Sequence, residues 1–396
     1  MNEPPLKGLR VVELARVLAG PWLGQILADL GADVVKVESP AGDDTRRFGP
    51  PFLEGADGKN LDAAYFHSCN HSKRSIILDF RKDEDREAAH RLVGRADVLI
   101  ENFRPGGLRK YGLDYESVRE KNPRLVYCSI TGFGQDGPYA SHPGYDLLIQ
   151  AMGGVMDITG EADGPPCKVG VAFADIFTGL YGVIGVQAAL AQRERTGRGE
   201  RIDMSLLDCM VAVLANQAMN YLVTGIPPKR FGNEHPNIVP YQSFEARDGY
   251  VVIAVANDPQ FKCLCEILGV PELSSDERFA TNPARVLNRK ELLDILTGKI
   301  AKWSREALLE ALKEKIPAGP ISDLEEVFDN AQVRHRGMRV GVPDENVSGG
   351  KLDLLRLPIL FSGMEIPPMR VAPGLGEHTN EILDEIGMEN GGRAAG

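Results

Sequence analysis

A strand, a helix and a second strand follow one another over residues 10–38, and that succession constrains the chain more than any other feature. RVVEL (10–14) reads as a short buried strand, PWLGQILADLG as a helix, and ADVVKVE (32–38) as the next strand. Pro21 suits the first turn of that helix and Gly31 its end. A βαβ unit of this kind implies parallel strands joined by a right-handed crossover. The pattern recurs with a strand at SIILDF (75–80), a helix from Asp83 to Gly94, and strands at ADVLIENF (96–103) and RLVYCSIT (124–131). The fold class is therefore α/β, with a Rossmann-like open parallel sheet. Ligands of such sheets sit beyond the carboxyl ends of the strands, so the loops at 15–20, 38–47, 102–106 and 131–146 are expected to line one site.

Further on, the sequence turns mostly helical from Asp175 to about Val223, with a glycine-rich break and a possible strand at RTGRGERIDMS. The apolar run from Ile176 to Ala191 is short for a membrane span and is interrupted by Thr178, Gly179, Gly182, Gly185 and Gln187, which predicts a buried core helix. A Pro- and Gly-rich connector begins at Gly225. Beyond it, YQSFEA and YVVIAVA flank a turn at Arg247 to Gly249 and read as a hairpin, and helical patterns fill 259–268, 289–301 and 304–314. The expected organisation is a large domain over 1–224, completed by 330–396, and a small α+β domain over 225–329.

The formal charge is −11, and no basic tract interleaved with aromatic residues is present, so neither nucleic acid nor a membrane is an expected partner. Six scattered cysteines without a C-x-x-C pair, and a start (MNEPPLKGLR) without an apolar signal core, fit a reducing cytoplasm.

Gly132, Gly134 and Gly137 spell G-x-G-x-x-G after a strand, but Pro138 and Pro143 stand where a dinucleotide-binding helix would run. That loop is read as shaping some other pocket. No phosphate loop, H-E-x-x-H or G-x-S-x-G occurs. The pair His67 and His71 has Asn70, Ser72, Lys73 and Arg74 beside it and reads as a solvated loop, not a zinc site. Asp175 lies between the uncharged segments GVAFA and Ile176–Ala191. A carboxylate there is either the N-cap of a buried helix or a reactive group with a perturbed pKa. Arg16, Lys36, Arg46, Arg47, Lys73, Arg74, Arg104, Arg109 and Lys110 fall in or near the ligand loops and suit phosphates or carboxylates.

Taken in order, LKGLRVVELARVLAGP, LGADVVKVESP with GDDTR, NHSKRSIILD, ADVLIENFRPG, SITGFGQDGP, PGYD, the Asp175 segment, TGRGERIDMSLLD and LGEHTNEIL resemble the class III CoA-transferase family over nearly the whole chain. The resemblance implies that Asp175 is a nucleophile that attacks an acyl-CoA thioester and then carries CoA as an aspartyl thioester. It places Val17, Ala19, Lys73, Arg74, Asn102, Arg104 and Lys110 near the adenine end of CoA, and Tyr145 and Asp146 beside the thioester. It further implies a homodimer of interlocked rings, no permanently bound cofactor or metal, and acyl-CoA and small carboxylic acids as substrates.

Departures narrow the substrate. Leu18 stands where the similar formyl-CoA:oxalate branch has glutamine, and VANDPQF (255–261) replaces its run of glycines. Tyr145 occupies the position of the histidine of the similar α-methylacyl-CoA racemases. Racemisation requires an acid and a base on opposite faces, so a racemase or isomerase is the alternative and not the expectation. FGNEHPNIVPYQSF (231–244) and RVLNRKELLDIL (285–296) resemble the succinyl-CoA:glutarate branch. A cation at the mouth, Arg46, Arg47 or His235, is expected to hold the distal carboxylate of a dicarboxylate acceptor.

Overall fold

The computed structural model describes residues 3–388. Six strands form its main sheet: β1 (Arg10–Glu13), β2 (Asp33–Glu38), β3 (Arg74–Ile77), β4 (Val98–Glu101), β5 (Val126–Thr131) and β6 (Arg201–Ser205). Their order is β3-β2-β1-β4-β5-β6, and every neighbouring pair is parallel. The strand order reverses between β1 and β4, which opens a crevice at the carboxyl ends of those two strands.

Both faces of the sheet are covered, as the near-continuous Val and Ile runs require. Successive side chains point to opposite faces, so Val11 packs with Leu23 and Leu27 of α1 (Ala19–Asp29), while Val12 packs with Leu92 and Val93 of α3 (Asp83–Arg95). Between these helices in the chain lies α2 (Ala64–Asn70), which packs on α1, and after β5 come α4 (Asp146–Met152) and α5 (Phe173–Thr196). Ile382 and Leu383 of α6 (Thr379–Glu385) join the core on the α3 face.

The glycines that interrupt the apolar run of α5 mark its contact with α1. A Cβ at Gly182 would lie 2.4 Å from Leu23 Cδ1, and one at Gly179 would lie 2.9 Å from Ala19 O. Among the described residues α5 is the one helix long and apolar enough to cross a membrane, yet it packs one face on α1 and leaves Leu180, Tyr181 and Ile184 on the other exposed.

Charges are also built into this core. The β1–β2 register sets Glu13 opposite Lys36, and both side chains are fully buried with Lys36 Nζ 3.0 Å from Glu13 Oε1.

The chain divides into two compact units, one of 1–155, 169–219 and 332–396 and another of 156–168 and 220–331. The segment 156–168 therefore packs with the second unit, where the sequence reading keeps it in the large domain. Arg230 donates to Asp157 O at 2.9 Å, and the Gly232 N–H donates to Gly160 O at 2.9 Å. That unit contains an antiparallel sheet of β7 (Tyr241–Ala246), β8 (Gly249–Ala254) and β9 (Ala318–Pro320) in the order β9-β8-β7. Helices over Asp258–Ile267, Arg289–Ile300 and Arg305–Leu312 pack on it around Phe244, Val251, Phe261, Leu264 and Leu296.

Candidate active site

Asp175 sits in the first turn of α5, and it is not the N-cap. That place belongs to Ala172, which makes no side-chain cap bond. The Asp175 carboxylate accepts no hydrogen bond among the described residues, and although half-buried by area it is crowded by protein on most sides. Burial, with the nearby Asp146 charge second, pushes its carboxyl up to about 7. Of the two sequence readings, the cap is excluded, and a desolvated, unpartnered carboxylate remains.

Asp146 begins α4 and faces the same turn: its Oδ1 accepts from the Ala174 N–H at 2.8 Å and its Oδ2 from Gln150 Nε2 at 2.7 Å. Tyr145 before it is 69% exposed, free to meet a ligand. Tyr65 of α2, which sequence reasoning passed over, is close enough that the charges of Asp175 and Asp146 raise its phenol, after burial, to about 12. It is thus a neutral hydroxyl beside the two carboxylates.

At the reversal point the loop after β1 is held from both sides. Asn102 Oδ1 accepts from the Arg16 N–H at 3.0 Å, and Asn102 Nδ2 donates to Arg16 O at 2.7 Å. Val17 follows with φ +71, a left-handed conformation that costs a β-branched residue of order 1–3 kcal/mol. Its N–H lies 3.3 Å from both carboxylate oxygens of Asp43. Asn102 therefore shapes the loop that was expected to meet CoA, using both ends of its amide to do so. Ala19 is buried against α5.

The expected ligand cations separate into two sets. Lys73 is fully buried and donates to Glu13 Oε2 (2.8 Å), Pro21 O (2.9 Å) and Asn70 Oδ1 (3.0 Å). Arg74 is 7% exposed and is held by Asp33, Glu381 and Glu385 at 2.6–2.8 Å. Arg46 is 5% exposed, paired with Glu38 and Asp62, and lies 3.7 Å over the Phe66 ring. These three are enclosed and held by protein acceptors, so they serve the fold and not a ligand at the mouth, which corrects the sequence expectation. Lys110 and Arg104 stand exposed, Lys110 over the Tyr111 ring at 4.7 Å, and neither has an ion-pair partner among the described residues. Arg47 is exposed and, among the described residues, pairs only with Asp44 and Ala41 O. In the second unit His235 packs against Tyr241 with ring centroids 5.2 Å apart, and its Nδ1 accepts from the Asn237 N–H at 3.0 Å. Burial and then the Arg289 charge lower its pKa, so His235 is a neutral imidazole and not a cation.

His67 and His71 do not lie in a solvated loop. His67 is on α2, and His71 is 2% exposed with its Nδ1 3.6 Å from Asp29 Oδ1. Burial pushes both imidazoles down to about 4 and the Asp29 carboxyl up to about 7, so His71 is a neutral imidazole and its contact with Asp29 is not an ion pair. No cluster able to hold a metal occurs among the described residues. These histidines line an apolar cavity of about 1270 Å³ with Trp22, Ile26, Ile176 and Leu180.

An open parallel sheet covered by a helix whose first turn carries an unpartnered, desolvated carboxylate defines an α/β protein with a candidate reactive group at that turn. The sequence profile of CoA-transferase family III matches residues 6–379, and the chain belongs to that family. It is 54% identical over 387 residues to succinate–glutarate CoA-transferase of Agrobacterium fabrum, covering 97% of this chain and 96% of the relative. It is 43% identical to succinyl-CoA:glutarate CoA-transferase of Mus musculus (96% of this chain, 86% of the relative). A crystal structure of a CAIB/BAIF family protein from Brucella suis is 56% identical and superimposes with a TM-score of 0.85, covering 98% of this chain and 100% of the other. The protein is a family III CoA-transferase.

Proposed function

We propose that the protein moves CoA from succinyl-CoA to a short dicarboxylate of the glutarate type, with Asp175 as the covalent carrier. The observation that carries this reading is the Asp175 carboxylate itself, crowded by protein, raised to about 7 and accepting no hydrogen bond among the described residues. Such a group keeps its nucleophilicity because no protein donor ties up its lone pairs. The relatives named for succinyl-CoA and glutarate support the choice of donor and acceptor.

In the first half-reaction a carboxylate oxygen of Asp175 adds to the thioester carbonyl, and the C–S bond breaks to release CoA thiolate and leave a mixed anhydride. The thiolate then adds to the aspartyl carbonyl, expelling succinate and leaving an aspartyl-CoA thioester. The acceptor carboxylate attacks that thioester, and the thiolate returns to the acceptor's acyl carbonyl, which restores the Asp175 carboxylate. Charge is conserved at every step, and the neutral Tyr65 hydroxyl, near enough to feel both carboxylates, is the donor assigned by this reading to the developing oxyanion. Of the three cations expected at the mouth, Arg47 is the one left to meet the distal carboxylate, because Arg46 is enclosed and His235 is neutral.

The same reading includes a homodimer in which a second copy covers the exposed Leu180, Tyr181 and Ile184 face of α5 and the cavity beside it. Light scattering of the eluted protein at the monomer mass of 43.2 kDa would count against it.

The deciding test of the chemistry is intact-protein and peptide mass spectrometry after mixing with succinyl-CoA. A CoA-sized adduct on the Asp175 peptide, absent in Asp175→Ala, is the expected result. Tight CoA binding without an adduct would end the covalent reading.

A further inference from the structure

The helix that carries Asp175 begins at a residue that cannot cap it. Ala172 has no polar side chain, yet the first-turn N–H groups of a helix need acceptors. The acceptor comes from another helix: Asp146 Oδ1 takes the Ala174 N–H at 2.8 Å, one residue before Asp175. The other oxygen, Oδ2, accepts from Gln150 Nε2 at 2.7 Å, one turn further along α4.

Gln150 is fully buried and has both ends of its amide occupied by the same segment. Its Oε1 accepts from the Val169 N–H at 2.9 Å, and its Nε2 also reaches Val171 O at 3.3 Å. Two side chains of α4 thus hold three backbone groups of the segment 169–174 that leads into Asp175. Each oxygen of Asp146 is thus engaged once inside the protein, by Ala174 and by Gln150.

We propose that Asp146 and Gln150 form a positioning pair for Asp175, in which Gln150 fixes the approach of the segment and Asp146, bonded to the Ala174 N–H, sets its carboxylate beside that of Asp175 without a hydrogen bond between them. This rests on Asp175 being the nucleophile. Formation of the aspartyl-CoA thioester removes the charge on Asp175, which leaves as the carboxylate of the released succinate, so repulsion from Asp146 is present in the free enzyme and gone in the aspartyl-CoA state. The pair therefore favours the acylated enzyme over the resting one, a differential effect that a merely structural cap would not produce.

Asp146 from α4 is the charged group acting on Asp175, and the Tyr65 phenol from α2 faces it uncharged; no Lys, Arg or His acts on it among the described residues. Removing the Asp146 charge therefore lowers the Asp175 pKa. Asp146→Asn keeps an acceptor for the Ala174 N–H while deleting the charge, and Gln150→Leu keeps the charge while removing the bonds to the Val169 N–H and Val171 O.

The experiment measures, over a pH series, kcat/KM and the fraction of enzyme carrying the CoA adduct at equilibrium with succinyl-CoA and succinate. In Asp146→Asn the acid limb is expected to move to lower pH and the adduct fraction to fall. In Gln150→Leu kcat is expected to fall with the acid limb in place. Wild-type values for both limb and adduct fraction in a folded Asp146→Asn would overturn the proposal. Absence of any Asp175 adduct in the wild type would instead overturn the nucleophile reading beneath it.

Discussion

Lys73 Nζ lies 2.8 Å from Glu13 Oε2, and neither side chain exposes any surface. Glu13 also meets Lys36 at 3.0 Å, and Lys36 reaches Asp43 at 2.9 Å, so one buried array of alternating charge runs from β1 to the loop after β2. That loop's Asp43 in turn holds Val17. The array joins the sheet to the ligand loop, and its cations act as structural members.

Removing one member of such an array leaves a buried charge without its partner. Lys73→Ala is expected to lower unfolding free energy by about 3 kcal/mol or more, because Glu13 keeps only Lys36. Urea denaturation checks this. A loss of CoA affinity at unchanged stability would show instead that Lys73 meets the ligand.

Lys110 and Arg104 give the opposite pattern. Both are exposed and free of ion pairs among the described residues, so alanine at either is expected to change stability by less than about 0.5 kcal/mol. The KM for acyl-CoA is expected to rise severalfold with kcat held, and the effect should shrink at high salt because exposed charges are screened. Steady-state kinetics at two ionic strengths measures both.

Much of the sheet was legible because parallel strands buried on both faces leave continuous Val and Ile runs bounded by turns. Asp175 was legible for a related reason: one carboxylate amid uncharged residues must be either paired or reactive. The cations were not legible. Lys73 and Arg74 sit beside Asn70 and Ser72 and read as a surface loop, while their acceptors Glu13, Glu381 and Glu385 lie far along the chain. One signal was available, since Glu13 and Lys36 are each the lone charge inside an apolar strand core, and parallel register brings them together. The trans cap on α5 was hidden because Asp146 and Ala174 are separated by 28 residues and no local motif links them.

Asn102 offers a prediction that separates shaping the ligand loop from touching the ligand. Asn102→Ala removes two hydrogen bonds to the Arg16 backbone and releases the strained Val17. Net stability is expected to fall by only about 1–2 kcal/mol, since lost bonds and relieved strain oppose each other. The KM for acyl-CoA is expected to rise because the loop is no longer held open for it. Val17→Gly, which takes the left-handed conformation without strain, should retain stability while showing a smaller rise in KM. Equal KM values for both variants and wild type would separate this loop from CoA binding.

The raised pKa of Asp175 ties activity and stability to pH with opposite signs. Attack requires the ionised carboxylate, so kcat/KM is expected to climb through about pH 7 and then level off. In the unfolded chain the same group ionises near its ordinary value of 3.8. Between that value and about 7 the folded state therefore holds a proton that the unfolded state has lost, and stability from this group falls as pH rises across the window. Asp175→Asn removes the penalty. It should abolish turnover yet raise stability above pH 7 by about 1–2 kcal/mol, a figure kept small because the carboxylate is only half-buried. The gain should shrink as pH falls toward 3.8 and vanish well below it, where wild-type Asp175 is protonated in both states. Thermal melts of the two proteins at pH 4 and pH 8 test the sign: equal shifts at both would mean that the burden at this position is steric and not a charge held out of water.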